Sequence, residues 1–171
     1  MPDVVLKAEH VTKRFGGITA LEDAQLELYK GEVHALVGAN GAGKSTLIKI
    51  ITGAYSSDEG DIYLDGQKVD IKSTFDARAK GISAVYQEFS LINTVSVAEN
   101  IYMGKLLYNN LGPIPRADWK RMNEETQKIL DSLGVKNIKP ETIVGRLSVA
   151  QKQMVEIAKA LSNDLKVLIM D

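Results

Sequence analysis

Val33-His34-Ala35-Leu36-Val37 runs straight into Gly38-Ala39-Asn40-Gly41-Ala42-Gly43-Lys44-Ser45-Thr46, and the reading of this stretch decides the fold. Its opening residues are a short, almost wholly apolar run that stops at Gly38, the pattern of a strand buried on both faces of a parallel sheet. Gly38 to Ser45 then matches the P-loop pattern of glycine, four residues, glycine, lysine and a hydroxyl residue. From average residue frequencies a chance match in a chain of 171 residues is on the order of 1%. Lys44 to Ile51 carries helix-compatible apolar residues and meets Gly53, a left-handed C-terminal stop. Strand, glycine loop and helix thus follow in the order that phosphate binding needs. Glycines let backbone N–H groups turn inward around a polyphosphate, and the helix points its positive end at the same oxygens. In that frame Lys44 neutralises the β- and γ-phosphates, and Ser45 offers its hydroxyl to Mg2+, a hard ion that takes oxygen ligands. A purely structural glycine turn is the plain alternative; the strand before it and the helix after it weigh against that. A dinucleotide-binding fingerprint fits less well, because Gly41-Ala42-Gly43 has no third glycine in register.

Upstream, Val4 to His10 and Ala24 to Tyr29 read as strands with partial alternation, joined through the turn-prone Phe15-Gly16-Gly17. Downstream, Asp65-Gly66 between Ile62-Tyr63-Leu64 and Gln67-Lys68-Val69 predicts a tight hairpin. Together these segments predict an antiparallel β flank. Thr74 to Lys80 is a helix candidate ending at Gly81, Ile82 to Tyr86 a strand candidate, and Gln87 sits just past its end. From Ser96 to Ser132 the pattern turns helical, with Val97 to Met103 and Asp118 to Leu133 divided by the Gly112-Pro113-Ile114-Pro115 break. Trp119 could stack a base or dock a partner, but a lone aromatic on a helix is more often a packing residue, and packing is the expectation. Gln151 to Leu161 spaces Met154, Val155, Ile157, Ala158 and Leu161 as an amphipathic helix. Val167-Leu168-Ile169-Met170-Asp171 then reads as an apolar strand ending on a carboxylate, where an acid can hold Mg2+ directly or through water.

Composition narrows the classes. Lys plus Arg total 21 against 22 for Asp plus Glu, so no broad positive field is present to hold a nucleic-acid backbone. Any phosphate chemistry must be local. With no cysteine in the chain, a disulfide framework, a thiol nucleophile and a zinc-thiolate site are excluded together. At 44% hydrophobic and 25% charged residues the chain has the composition of a packed domain rather than a disordered or fibrous one. No run of apolar residues is long enough to cross a bilayer, and Met1 to His10 lacks the pattern of a signal segment.

Leu147-Ser148-Val149-Ala150-Gln151 precedes the last amphipathic helix, and Ser148 with Gln151 forms a capping-box pattern. Alone it marks only a helix start. With the P-loop and the acidic strand in the same order, the chain resembles the ATPase subunit of ABC transporters, whose signature loop usually reads Leu-Ser-Gly-Gly-Gln. The resemblance covers essentially all 171 residues. It implies an α/β fold: a P-loop NTPase core of ABC ATPase type with an antiparallel β flank and a helical lobe, truncated at the acidic (Walker B) strand. The implied division of this partial domain is 1–90 for the core and flank, 91–162 for the helical lobe and signature helix, and 163–171 for the acidic strand.

ATP and Mg2+ are the implied cofactors. Gly38, Asn40, Gly41, Ala42, Gly43, Lys44, Ser45 and Thr46 would hold the nucleotide. Phe15 matches the aromatic loop that stacks adenine, Gln87 the glutamine loop between lobes, and Ser148 to Gln151 the signature that reaches a partner's γ-phosphate. Lys44, Gln87 and Asp171 take the catalytic positions, and Ser45, Gln87 and Asp171 the metal positions. The implied partners are transmembrane permease subunits, a second ATPase domain and, indirectly, an external sugar-binding protein, with no nucleic acid. The implied location is the cytoplasmic face of the membrane.

Leu147 to Leu161, His34-Ala35-Leu36-Val37 and Tyr86-Gln87-Glu88 look like the first ATPase half of tandem monosaccharide importers of the ribose and galactose type. In that subfamily a signature without glycines is familiar. Val149 and Ala150 stand where glycines usually do, which costs the loop backbone freedom. The glutamate that follows the family's aspartate, and the family's later histidine, have no counterpart in the chain. His10 and His34 lie too early and read as strand residues. The sequence is therefore expected to be an N-terminal fragment that binds nucleotide better than it hydrolyses it, with exposed sheet edges that favour self-association. The alternatives are a non-hydrolysing, nucleotide-responsive regulatory module and a non-transport ABC-type ATPase of translation or DNA repair. Against the repair type stands the lack of sustained heptads, and against a GTPase the lack of an Asn-Lys-x-Asp motif.

Overall fold

The computed structural model describes residues 3–86, 88–109 and 115–170. They divide into two compact units, residues 1–84 with 166–171 and residues 85–165.

The first unit is built on a long hairpin. Strands β1 (Val4–Phe15) and β2 (Ile18–Tyr29) pair antiparallel, with Phe15 opposite Ile18 and Leu6 opposite Leu28. The ladder is broken near its middle, where the register shifts between Ala8 and Val11. There His10 and Asp23, joined side chain to side chain, both take positive φ, at 53° and 47°. This irregularity interrupts the period-2 pattern, and both strands run further toward the turn than the sequence suggests. After helix α1 (Lys44–Ile51), β3 (Glu59–Leu64) and β4 (Gln67–Val69) complete a four-stranded sheet in the order β2-β1-β3-β4. The β3–β4 turn is the expected Asp65-Gly66, with φ of 49° and 76°, as the twist of a tight hairpin requires.

One face of this sheet is buried. Leu6, Ala8 and Val11 of β1 have no exposure. They form one apolar cluster with Ile62 and Leu64 of β3 and Leu47, Ile50 and Ile51 of α1. Each large aliphatic side chain buried in this way contributes about 2 kcal/mol. Helix α2 (Thr74–Ala79) adds Ala77 and strand β5 (Ile82–Val85) adds Ile82 to the same cluster.

The second unit is helical. It comprises α3 (Val97–Tyr102), the short hairpin β6 (Tyr108–Asn109) and β7 (Arg116–Ala117), α4 (Trp119–Ser132) and α5 (Val149–Leu161). Its core gathers Val97, Ile101, Met122, Leu130, Ile138, Val144 and Val155. Helix α3 starts at a full capping box of Ser96 and Glu99, and α4 at Asp118, whose carboxylate accepts from the Arg121 amide. The chain then returns to the first unit as β8 (Val167–Met170), which forms a two-stranded sheet with β5. The amides of Lys166 and Val167 both donate to the Gly81 carbonyl, so the two strands start side by side. Among the described residues no helix is long and apolar enough to cross a membrane.

Three expectations need correction. Val33 to Val37 is not a buried strand: residues 32–39 are irregular, and Val33 and Val37 are 99% and 89% exposed. A strand apolar on both faces needs neighbours to take its backbone groups and cover its side chains. Among the described residues no strand lies along it, because the only partner of β8 is β5. His34 shares that irregular segment, 3.4 Å from the Glu32 carboxylate, and is not a strand residue. Trp119 opens α4 and stands half exposed at 49% rather than packed away. Of the Gly112-Pro113-Ile114-Pro115 break, only Pro115 lies within the described residues, and the β6–β7 hairpin flanking it was not anticipated.

Candidate functional site

The glycine loop leads into α1 through Gly41 and Gly43, both at φ 85°. That left-handed conformation strains any residue with a side chain. At Gly43 the fit is also steric, since a Cβ would stand 2.7 Å from the Leu21 Cδ1 and 2.9 Å from the Ala20 carbonyl oxygen. The loop therefore seats on β2 only because this residue is glycine. Gly43 is also the N-cap of α1. It supplies no side-chain oxygen to the first amides, and no acid lies in the first turn. Helix starts leave their first N–H groups without intrahelical partners, and the aligned peptide dipoles add positive potential there. An anion is the natural complement to such an end.

Lys44 supplies a full positive charge at the same place. Its ammonium donates to the carbonyl oxygens of Gly38 at 2.7 Å and Ala39 at 2.9 Å. Bent back over its own loop, it holds carbonyls that would otherwise repel an anion. Asn40 and Ala42 are exposed, the Ala42 amide donating to the Ala39 carbonyl at 3.1 Å. Ser45 is exposed and Thr46 half-buried on the first turn of α1.

Phe15, at the tip of β1, meets Tyr55 edge-on with ring centroids 5.2 Å apart. Lys13 lies 5.4 Å from the Phe15 ring centre, and Lys49 5.3 Å from that of Tyr55. Through Tyr55, whose amide donates to the Lys49 carbonyl, Phe15 is tied to the C-terminal end of α1. Sequence reading singled out Phe15 and missed Tyr55, Lys13 and Lys49. A faint signal existed in Lys13, two residues before Phe15 and so on the same side of the strand.

In the helical unit, Ser148 caps α5 as the sequence suggests. Its hydroxyl accepts from the Gln151 amide at 3.3 Å, and the Gln151 side-chain oxygen accepts from the Ser148 amide at 3.0 Å. The Gln151 Nε2 reaches the Asn137 carbonyl at 3.5 Å. Val149, directly after the cap, is 66% exposed.

Gln87 and Asp171 lie outside the described residues. Among the described residues no group of three or more His, Cys, Asp or Glu could hold a metal ion. Of the three expected metal ligands only Ser45 is described, exposed on the first turn of α1, and its hydroxyl is a hard oxygen donor of the kind Mg2+ takes.

The family profile described as ABC transporter matches residues 21–171. An ATP-binding protein of Burkholderia ambifaria, whose name ties it to ribose, galactose and methyl galactoside import, is 50% identical over 98% of this chain and 31% of its own length. The ribose import ATP-binding protein RbsA of Hahella chejuensis is 47% identical over 98% of this chain and 32% of its own length. The chain thus spans about a third of the length of the curated relatives it matches. Among solved structures, a nucleotide-free ATP-binding cassette from an ABC transporter superposes with a TM-score of 0.81 at 30% identity, covering 98% of this chain and 68% of that one. The ADP conformation of another such cassette gives 0.80 at 29% identity, over 96% and 67% of the two chains.

Proposed function

The chain belongs to the ABC transporter ATP-binding family, and on that premise we propose that it is part of an ATP-binding subunit of an importer that couples ATP binding and hydrolysis to monosaccharide uptake. The observation that carries this reading is the start of α1: uncapped amides beneath two left-handed glycines, with the Lys44 ammonium folded over the same loop. Such a site grips a polyphosphate through backbone N–H groups and one cation. Names of relatives that mention ribose and galactose import support the sugar class.

In this reading the amides of residues 41 and 43–45 take the phosphate oxygens, and Lys44 leaves the Gly38 and Ala39 carbonyls to neutralise the β- and γ-phosphates. Phe15 offers its half-exposed ring to the adenine. Ser45, Gln87 and Asp171 would hold Mg2+, which supplies charge neutralisation between the β- and γ-phosphates when bound. Gln87 reports the γ-phosphate to the permease subunits, and Ser148 to Gln151 contact the nucleotide of a second ATPase domain. The protein would sit peripherally on the cytoplasmic face of the membrane, where the permease subunits present a surface to it.

Calorimetric titration of the full-length protein with MgATP tests the proposal. Micromolar binding that weakens at least about tenfold on Lys44→Ala is the expected result, equivalent to about 1.4 kcal/mol or more. Equal affinity in the two proteins would refute it.

A further inference from the structure

Glu156 is a buried carboxylate that the nucleotide scheme does not use. It lies on the inner side of α5 and is 8% exposed. Both its oxygens face one residue: one accepts the backbone N–H of Ser90, the other the Ser90 hydroxyl at 3.2 Å. One turn further along α5, Lys159 donates to that same hydroxyl at 3.1 Å, and one turn back Lys152 donates to the Asn93 side-chain oxygen at 2.9 Å. The Asn93 carbonyl accepts from the Gly145 amide at 2.8 Å, in the turn that leads into the signature loop. Residues 90–93 are therefore tied to α5 and to the approach to it, all within the helical unit.

A carboxylate is an expensive way to fill this place. Burying an ionised group costs free energy that its hydrogen bonds only offset, and the neighbouring Val155 and Ala158 show that apolar side chains pack there. What the carboxylate adds is specificity, because it fixes α5 against one stretch of backbone. That stretch begins three residues after Gln87 in the chain.

We propose that Glu156 is a positioning residue, coupling the segment behind Gln87 to the signature helix so that the two shift together. This rests on the reading above, in which Gln87 senses the γ-phosphate. Without the Glu156 acceptor the Lys159–Ser90 and Lys152–Asn93 bonds are left to link residues 90–93 to α5, and α5 lags when that segment follows Gln87. Nucleotide is still gripped, but the signature is brought less often to the nucleotide of the second ATPase domain.

Steady-state hydrolysis in the full-length protein, normalised to ATP-binding sites counted by titration, tests the coupling. For Glu156→Ala, kcat per site falls about tenfold while KM for ATP and binding stoichiometry change less than about twofold. Glu156→Gln keeps an acceptor for the Ser90 N–H and restores at least half of wild-type kcat; if Glu156→Ala fails to fold, Ser90→Ala, which removes the hydroxyl's bonds to both Glu156 and Lys159, takes its place beside a Lys159→Ala control and loses about half of kcat per site where the control loses less. Wild-type kcat in the variant that removes the contact overturns the proposal, as does a Glu156→Gln protein as slow as Glu156→Ala. A Lys44→Ala control that still binds and hydrolyses ATP overturns instead the nucleotide reading on which it stands.

Discussion

Helices α1 and α5 start in opposite ways, one in each unit of the molecule. At α1 the cap is a glycine in left-handed conformation that makes no side-chain cap hydrogen bond, and no acid lies in the first turn. At α5 Ser148 and Gln151 satisfy each other's amides reciprocally, the most complete side-chain cap a helix start can carry. The difference separates an end whose first amides have no side-chain acceptor from an end finished by its own side chains. Open amides cost stability that a bound anion restores. A capped start gains about 1 kcal/mol from its own side chains. Any contact that α5 makes with a phosphate has to share or displace the serine and glutamine already in place.

Substitutions at the two ends should break apart along this line. The largest effect is expected for Gly43→Ala, where positive φ and the 2.7 Å approach to Leu21 combine. It should destabilise the protein by about 1–3 kcal/mol and weaken nucleotide binding at least tenfold, as read by chemical denaturation and ATP titration. Ser148→Ala comes next: about 1 kcal/mol of stability lost, with nucleotide affinity of the P-loop unchanged. Equal losses of affinity from both substitutions would erase the distinction.

The third test uses pH. At α3, the Ser96 hydroxyl and amide hold the Glu99 carboxyl below the usual glutamate range. A carboxyl with a lower pKa folded than unfolded stabilises above its unfolded pKa, and that contribution is lost as pH falls through its folded value. Glu99→Gln should therefore flatten the acid limb of the stability curve by lowering stability at neutral pH, with little change at acid pH where the wild-type carboxyl is itself protonated. The start of α1 has no acid and should show no such dependence. The smallest effect is at α4, where the Thr126 hydroxyl is buried without a hydrogen-bond partner. Thr126→Val should leave nucleotide binding alone and raise unfolding stability by about 0.5 kcal/mol, measured by urea denaturation.

Local signals in the sequence located most elements. The Asp65-Gly66 turn, the Ser148–Gln151 cap and the Lys44–Ile51 helix each depend on residues close in the chain, and each stands where its residues indicate. Features set by partners distant in sequence were hidden. Whether Val33 to Val37 forms a strand depends on neighbours, and apolarity alone says nothing of whether they lie alongside. The β1 and β2 extensions were obscured by the bulge at His10 and Asp23, which shifts alternation out of phase. At the candidate site the glycines and Lys44 were legible because the chemistry demands those residue types in one short run. Tyr55 against Phe15 was not, because that pair forms only once α1 folds back on the β1 tip. Glu156 looked like one polar residue on an amphipathic helix; its meaning comes from Ser90, far away in the chain.

Amide hydrogen exchange of the full-length protein, with and without saturating ADP, tests the contrast between the two helix starts most directly. ADP carries a β-phosphate for the glycine loop and no γ-phosphate for a signature loop. Protection confined to residues 38–47, with residues 148–152 unchanged, is the predicted pattern. Unchanged exchange over 38–47, or equal protection at both helix starts, would contradict it.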